Sequence, residues 1–114
     1  MNDTSRTTSQ FLYKIQPTRS ELVTLGPTYE EAFILSEHSK YLESLVNKEW
    51  WIVFGRTQNN DALTLGIVIF PAESEDTARV IMNNDPTVKN GIMRAGLFPY
   101  KVAGVSSNRQ SWMH

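Results

Sequence analysis

The stretch WWIVFGRTQNNDALTLGIVIF, residues 50–70, sets two apolar runs around one polar loop. Side chains along a strand alternate between faces. Trp50, Ile52 and Phe54 therefore point one way while Trp51 and Val53 point the other, and Leu65, Ile67 and Ile69 oppose Val68 and Phe70. Both runs are apolar on both faces, which is the pattern of strands inside a covered sheet rather than of a half-solvated one. Asn59, Asn60 and Asp61 make the segment 56–64 between them a hairpin loop, and Pro71 reads as the end of the second strand.

Working outward, FLYKIQ (11–16) is β-prone, with Phe11, Tyr13 and Ile15 on one face. Residues 17–28 form a connection, and Thr28-x-x-Glu31 is a capping box that opens a helix running to about Asn47. Beyond the hairpin, Ser74 caps a second helix over 75–84, with Glu75 and Asp76 in its first turn. DPTVKNG (85–91) turns the chain into a last strand over 92–102, where Pro99 argues for an edge or a bulge. The order β-α-β-β-α-β is the split βαβ of a ferredoxin-like α+β sandwich. Two helices cover only one face of four strands. The other face leaves more apolar surface than a monomer ordinarily exposes. A second copy of the chain is the simplest cover, giving a homodimer across a twofold axis; the alternative is that the tail folds Trp112 over it. Residues 1–10, with almost nothing to bury, read as a disordered arm, 11–103 as the single domain and 104–114 as a loosely attached tail.

Composition narrows the partners. A chain of 114 residues with 40% hydrophobic and 20% charged residues is one soluble domain. A net charge of −1 with scattered Lys and Arg gives no footprint for a nucleic acid or an anionic membrane. No apolar run is long enough to span a bilayer, and the start lacks a signal peptide's pattern, so the expected setting is cytoplasmic. There is no cysteine, and two histidines are too few for a histidine-rich metal site. No phosphate loop, metal-ligand spacing or nucleophile elbow is present, so neither a cofactor nor a metal is expected.

Chemistry rests on two residues. In ILSEHSKYLESL (34–45) the apolar stripe is Ile34, Tyr41, Leu42 and Leu45, and His38 stands in its centre. An imidazole there is either a core group bonded to a carbonyl or a tyrosine, or an acid/base group, since it exchanges protons near neutral pH. Asp85 before Pro86 reads as an N-cap with Pro at the first helical position. It also continues the spacing of Ala78, Ile81 and Met82, which aims it at the layer His38 faces. A carboxylate so placed orients an imidazole and stabilises its cation. Tyr41, Trp50, Trp51, Phe54 and Arg56 are the expected walls of a pocket for a small, partly apolar molecule.

The segments HSKYLESL (38–45), WWIVFGRT (50–57) and NNDPTVKNGIMRAGLFPYKV (83–102) resemble the YCII-related, YciI-like proteins. The likeness lies in His38, Gly55, Asp85-Pro86 with Val88 and Gly91, and Pro99-Tyr100-Lys101. It implies the fold of the dimeric α/β barrels, with His38 and Asp85 as a proposed active-site pair. It also implies an activity of the lyase, isomerase or dehydrohalogenase kind without a cofactor. Relatives often carry Arg three residues before the histidine, where this chain has Leu35, and Gly-Pro where it has Gly55-Arg56. Arg56 is then a candidate substitute for the missing cation. A non-catalytic small-molecule-binding or accessory domain, and a structural dimer, are the competing expectations.

Overall fold

The computed structural model describes residues 9–46 and 53–105. The expected pocket residues Trp50 and Trp51, Trp112 of the tail and most of the N-terminal arm lie outside the described residues. The elements are β1 (Ser9–Pro17), α1 (Glu21–Thr24), α2 (Tyr29–Val46), β2 (Val53–Arg56), β3 (Gly66–Ala72), α3 (Glu75–Asn83), α4 (Pro86–Lys89) and β4 (Met93–Tyr100). The sheet runs β2-β3-β1-β4, every pair antiparallel. This is the expected ferredoxin-like sandwich, with two short helices added to the connections.

The two long helices begin where the sequence places their caps. The Thr28 amide donates to Glu31 Oε1 at 2.9 Å while the Glu31 amide donates to Thr28 Oγ1 at 3.1 Å, so the capping box closes in both directions. Ser74 sits in extended backbone and accepts from the Thr77 amide at 3.1 Å. The core is one layer between helices and sheet: Phe11, Tyr13 and Ile15 from β1, Val68 and Phe70 from β3, Leu42 and Leu45 from α2, Ala78, Ile81 and Met82 from α3. Tyr13 meets Phe70 edge-on, at 5.8 Å between ring centroids and 74° between planes.

Three expectations need correcting. The first strand begins at Ser9, inside the presumed arm, because Gln10 pairs with both Pro71 and Tyr100 and takes the Val102 amide on its Oε1 at 2.9 Å. Pro71 does not end β3, which continues to Ala72. Pro71 lies beyond the last β2 pairing found, Val53 with Ile69, so its missing N–H breaks no ladder bond to that strand. The connection starts one residue later than 17, since β1 runs to Pro17, and within it lies α1, Glu21–Thr24. Arg19, which precedes it, donates from Nε to Glu31 Oε2 at 2.9 Å and bonds Oε1 from Nη2, tying the connection to the start of α2.

The register also settles the faces. Phe54 pairs with Val68 and so faces the helices, while Val53 pairs with Ile69 on the opposite face. That opposite face carries Leu12, Ile67 and Ile69 half-buried and Val53, Phe98 and Tyr100 exposed, with Lys14 above the Phe98 ring at 6.0 Å. No described helix lies across it.

Candidate functional site

α2 carries His38 on its inward face, and α4 carries Asp85 at its N-terminus. The structure brings them into contact: His38 Nδ1 lies 2.8 Å from Asp85 Oδ1 and 3.0 Å from Oδ2. Asp85 is at the same time the N-cap of its own turn. It accepts from the Thr87 amide at 3.0 Å and the Thr87 hydroxyl at 2.7 Å. Tyr13, from the middle of β1, donates its hydroxyl to Oδ2 at 2.7 Å. The carboxylate is wholly buried and surrounded by donors.

Those donors set its charge state. Burial alone would raise the carboxyl pKa. The hydrogen bond and charge of His38, with the Tyr13 and Thr87 bonds, outweigh burial and hold it below the ordinary value. Tyr13 responds in the opposite sense: burial, then the facing carboxylate, pushes its phenol far up and keeps it a donor. Tyr41 is pushed up to about 12, by burial and then by the charge of Asp85.

An ionised carboxylate has only acceptor sites, so the imidazole nitrogen facing it carries the hydrogen. His38 is thus held as the Nδ1–H tautomer, and a neutral ring presents the Nε2 lone pair away from Asp85. Among the described residues Nε2 has no hydrogen-bond partner, yet no buried side-chain nitrogen or oxygen is left without one. The His38 side chain is 18% exposed. Such an arrangement can accept a proton at a free Nε2, stabilise the resulting cation against the carboxylate, and return the proton from the same atom.

The other expected wall residues divide. Tyr41 uses its hydroxyl to bond the Ile81 carbonyl at 2.7 Å, which ties α2 to α3 and packs the ring against the core. Phe54 and Arg56 project from β2 into two neighbouring cavities. One, of about 260 Å³, lies between Phe54, Arg56, Ile15 and Leu42. The other, of about 440 Å³, lies at the far end of β1 between Ile15, Leu35, Arg56 and Met93. Leu35 and Leu42 stand three residues before and four after His38, so the cavities bracket it along one helix face. The imidazole itself is not a wall of either. Tyr13 and Thr87 are the residues that sequence reasoning missed. The signal for Tyr13 was its inward strand position, since a buried phenol needs a partner.

Residues 12–97 match the YCII-related domain. Among curated proteins, none matches the chain in sequence. The chain is similar to a solved structure of the 5-chloro-2-hydroxyhydroquinone dehydrochlorinase of Burkholderia phenoliruptrix AC1100, complexed with 2,5-dihydroxybenzoquinone. The two share 25% identity at a TM-score of 0.60, over 81% of this chain and 93% of that one. A family match spanning β1 to β4, on a sandwich of this topology, makes the chain a member of the YCII-related domain family.

Proposed function

We propose that the chain is a cofactor-independent acid/base enzyme acting on a small, partly apolar molecule. His38 exchanges the proton at Nε2, and Asp85 orients the ring and stabilises its cation. The observation that carries the reading is the bond from His38 Nδ1, on a side chain 18% exposed, to a buried, four-donor carboxylate. A purely structural histidine in the core has no need of an anion that other groups already satisfy. The dehydrochlorinase relative supports elimination or isomerisation as the reaction class, since both begin by moving one proton on a carbon or hydroxyl skeleton. Phe54 and Arg56 supply walls, and Tyr41 supports the layer behind His38. We infer further that the protein works as a homodimer through the face bearing Leu12, Ile69 and Phe98, whose apolar surface no described helix covers.

The test is turnover of a panel of chlorinated hydroquinones and chlorinated hydroxybenzoates, followed by chloride release, for the wild type, His38→Asn and Asp85→Asn. The expected result is release by the wild type with a pH-dependent limb that disappears in His38→Asn. Binding of the panel without turnover, with affinity alone varying with pH, would instead identify a non-catalytic ligand-binding domain. Turnover undiminished in His38→Asn would remove the acid/base assignment.

A further inference from the structure

The larger cavity has a composition that the acid/base reading does not explain. It is closed by Leu22 and Val23 of α1, Leu35 of α2, Ile15 and Met93, and among the described lining residues Arg56 alone carries a charge. Among the described residues no carboxylate lines it, and no acidic group lies within ion-pair distance of Arg56. At about 440 Å³ it falls in the range of small-ligand sites, which are mostly apolar with a few polar groups that fix orientation. Gly66 helps to keep it open, because a Cβ there would come within 3.2 Å of the Ile15 side chain.

We propose that this cavity is the anion subsite of the pocket, binding a small, partly apolar molecule through a single carboxylate held by Arg56. A guanidinium presents paired N–H donors that match a carboxylate's two oxygens. One guanidinium, with no second cation among the described lining residues, balances one negative charge, which favours a carboxylate monoanion over a phosphate dianion. The position suits the chemistry. Ile15 follows Tyr13 by two residues on β1, and Leu35 precedes His38 by one turn, so the cavity begins about 5–7 Å from the His38–Asp85–Tyr13 cluster. A molecule of one ring's length, anchored at Arg56, then reaches toward Nε2. The inference deepens the acid/base reading and rests on it for the identity of the bound molecule as substrate.

The experiment titrates benzoate, benzamide and phenyl phosphate into protein carrying 13C-methyl methionine. The Met93 methyl lines the cavity, and that of Met82, buried in the core, serves as the internal reference. Benzoate is expected to shift Met93 and not Met82, and to bind at least tenfold more tightly than benzamide, about 1.4 kcal/mol. Arg56→Gln should abolish that preference, and Arg56→Lys, which keeps the charge but not the fork, should retain part of it. Arg56 is exposed at the end of an edge strand, so both variants are expected to keep the wild-type urea midpoint. Equal binding of benzoate and benzamide, a preference that survives Arg56→Gln, tighter binding of phenyl phosphate, or no response of Met93 at millimolar concentration would each overturn the subsite. His38→Asn separates the two readings. It should leave the benzoate preference intact, and undiminished turnover in that variant would remove the acid/base role while the subsite stands.

Discussion

Asp85→Asn is the perturbation that distinguishes a working pair from a structural contact, because the amide is isosteric and changes only charge and one acceptor. In the wild type the two carboxylate oxygens receive four donors: His38 Nδ1–H, the Tyr13 hydroxyl, and the Thr87 amide and hydroxyl. The Thr87 amide is a fixed donor, so the Asn oxygen is held at the Oδ1 position, where it also meets the Thr87 hydroxyl. The NH2 group then faces Tyr13 and His38. The Tyr13 hydroxyl can rotate to accept from it, and His38 can accept only by moving its own hydrogen to Nε2. All four charge-assisted bonds, each worth about 1.5–3 kcal/mol, become neutral ones worth about 0.5–1.5 kcal/mol. Relief of burying an anion offsets about half of that loss and leaves a net cost of about 2 kcal/mol. In a domain of this size that is a fall in melting temperature of about 5–10 °C. Urea unfolding gives the stability, and the ring 15N shifts of His38 give the tautomer. The expected outcome is a moderate destabilisation together with an inverted tautomer, so that Nε2 holds a hydrogen and has no lone pair for a substrate proton. Turnover then falls by far more than stability does, as when a triad's orienting acid is amidated. A variant within about 0.5 kcal/mol of wild type, in the range of ordinary surface changes and with the tautomer unchanged, would refute the reasoning.

The same carboxylate sets an acid limit. Its folded-state pKa lies below the ordinary 3.8, so its contribution is fully present above that value and is lost as pH falls below it through the folded-state pKa; urea midpoints measured downward from pH 5 should decline less steeply in Asp85→Asn than in the wild type. His38→Ala removes one of four donors from a partly exposed position, so it should cost about 1 kcal/mol in urea unfolding while abolishing turnover. A cost above about 3 kcal/mol would mark His38 as a core residue. Phe98→Glu places a charge on the open sheet face at a side chain 47% exposed, and should convert a sedimenting dimer to a folded monomer. A wild-type protein that sediments as a monomer at micromolar concentration would remove the dimer.

What was legible in the sequence was whatever depends on short-range patterns. Alternation over 65–70 sorted β3 into two apolar faces but did not say which meets the helices; the structure buries the one with Val68 and Phe70. The capping signals at Thr28, Ser74 and Asp85 each mark a helix start. The helix stripe through His38 and the continued spacing to Asp85 were enough to bring the two into one layer. What was not legible depends on partners far along the chain. Tyr13 and Asp85 are joined across 72 positions, and nothing local to FLYKIQ separates a phenol bonded to a carboxylate from one that merely packs. α1 has only four residues, too few for a helix to declare itself through periodicity. Gln10 reads as part of a polar arm because its role is to pair between two strands and to accept the Val102 amide, neither of which requires an apolar side chain.

One physical reason recurs at both carboxylates with a partner the sequence did not reveal, Arg19 at Glu31 and Tyr13 at Asp85. Glu31 and Asp85 each have a complete local explanation as helix caps, and each also holds a distant residue. A carboxylate offers about four lone-pair sites, and a cap occupies only one or two of them. At Glu31 the remaining capacity takes Arg19. The Arg19 bond, with the Thr28 amide, lowers the Glu31 pKa to about 2 and anchors the connection over the larger cavity. At Asp85 it takes His38 and Tyr13. The cap is what makes the second contact effective. Thr87 fixes the Asp85 oxygens from two directions, so the imidazole meets an anion already oriented, and protonation at Nε2 requires no rearrangement of its partner. A carboxylate at the same place without the Thr87 bonds would keep only His38 and Tyr13 as donors, and burial would weigh more heavily against its charge. Assigning a capping role therefore does not compete with a catalytic one at Asp85. The turn that the cap stabilises is what holds the charge beside His38.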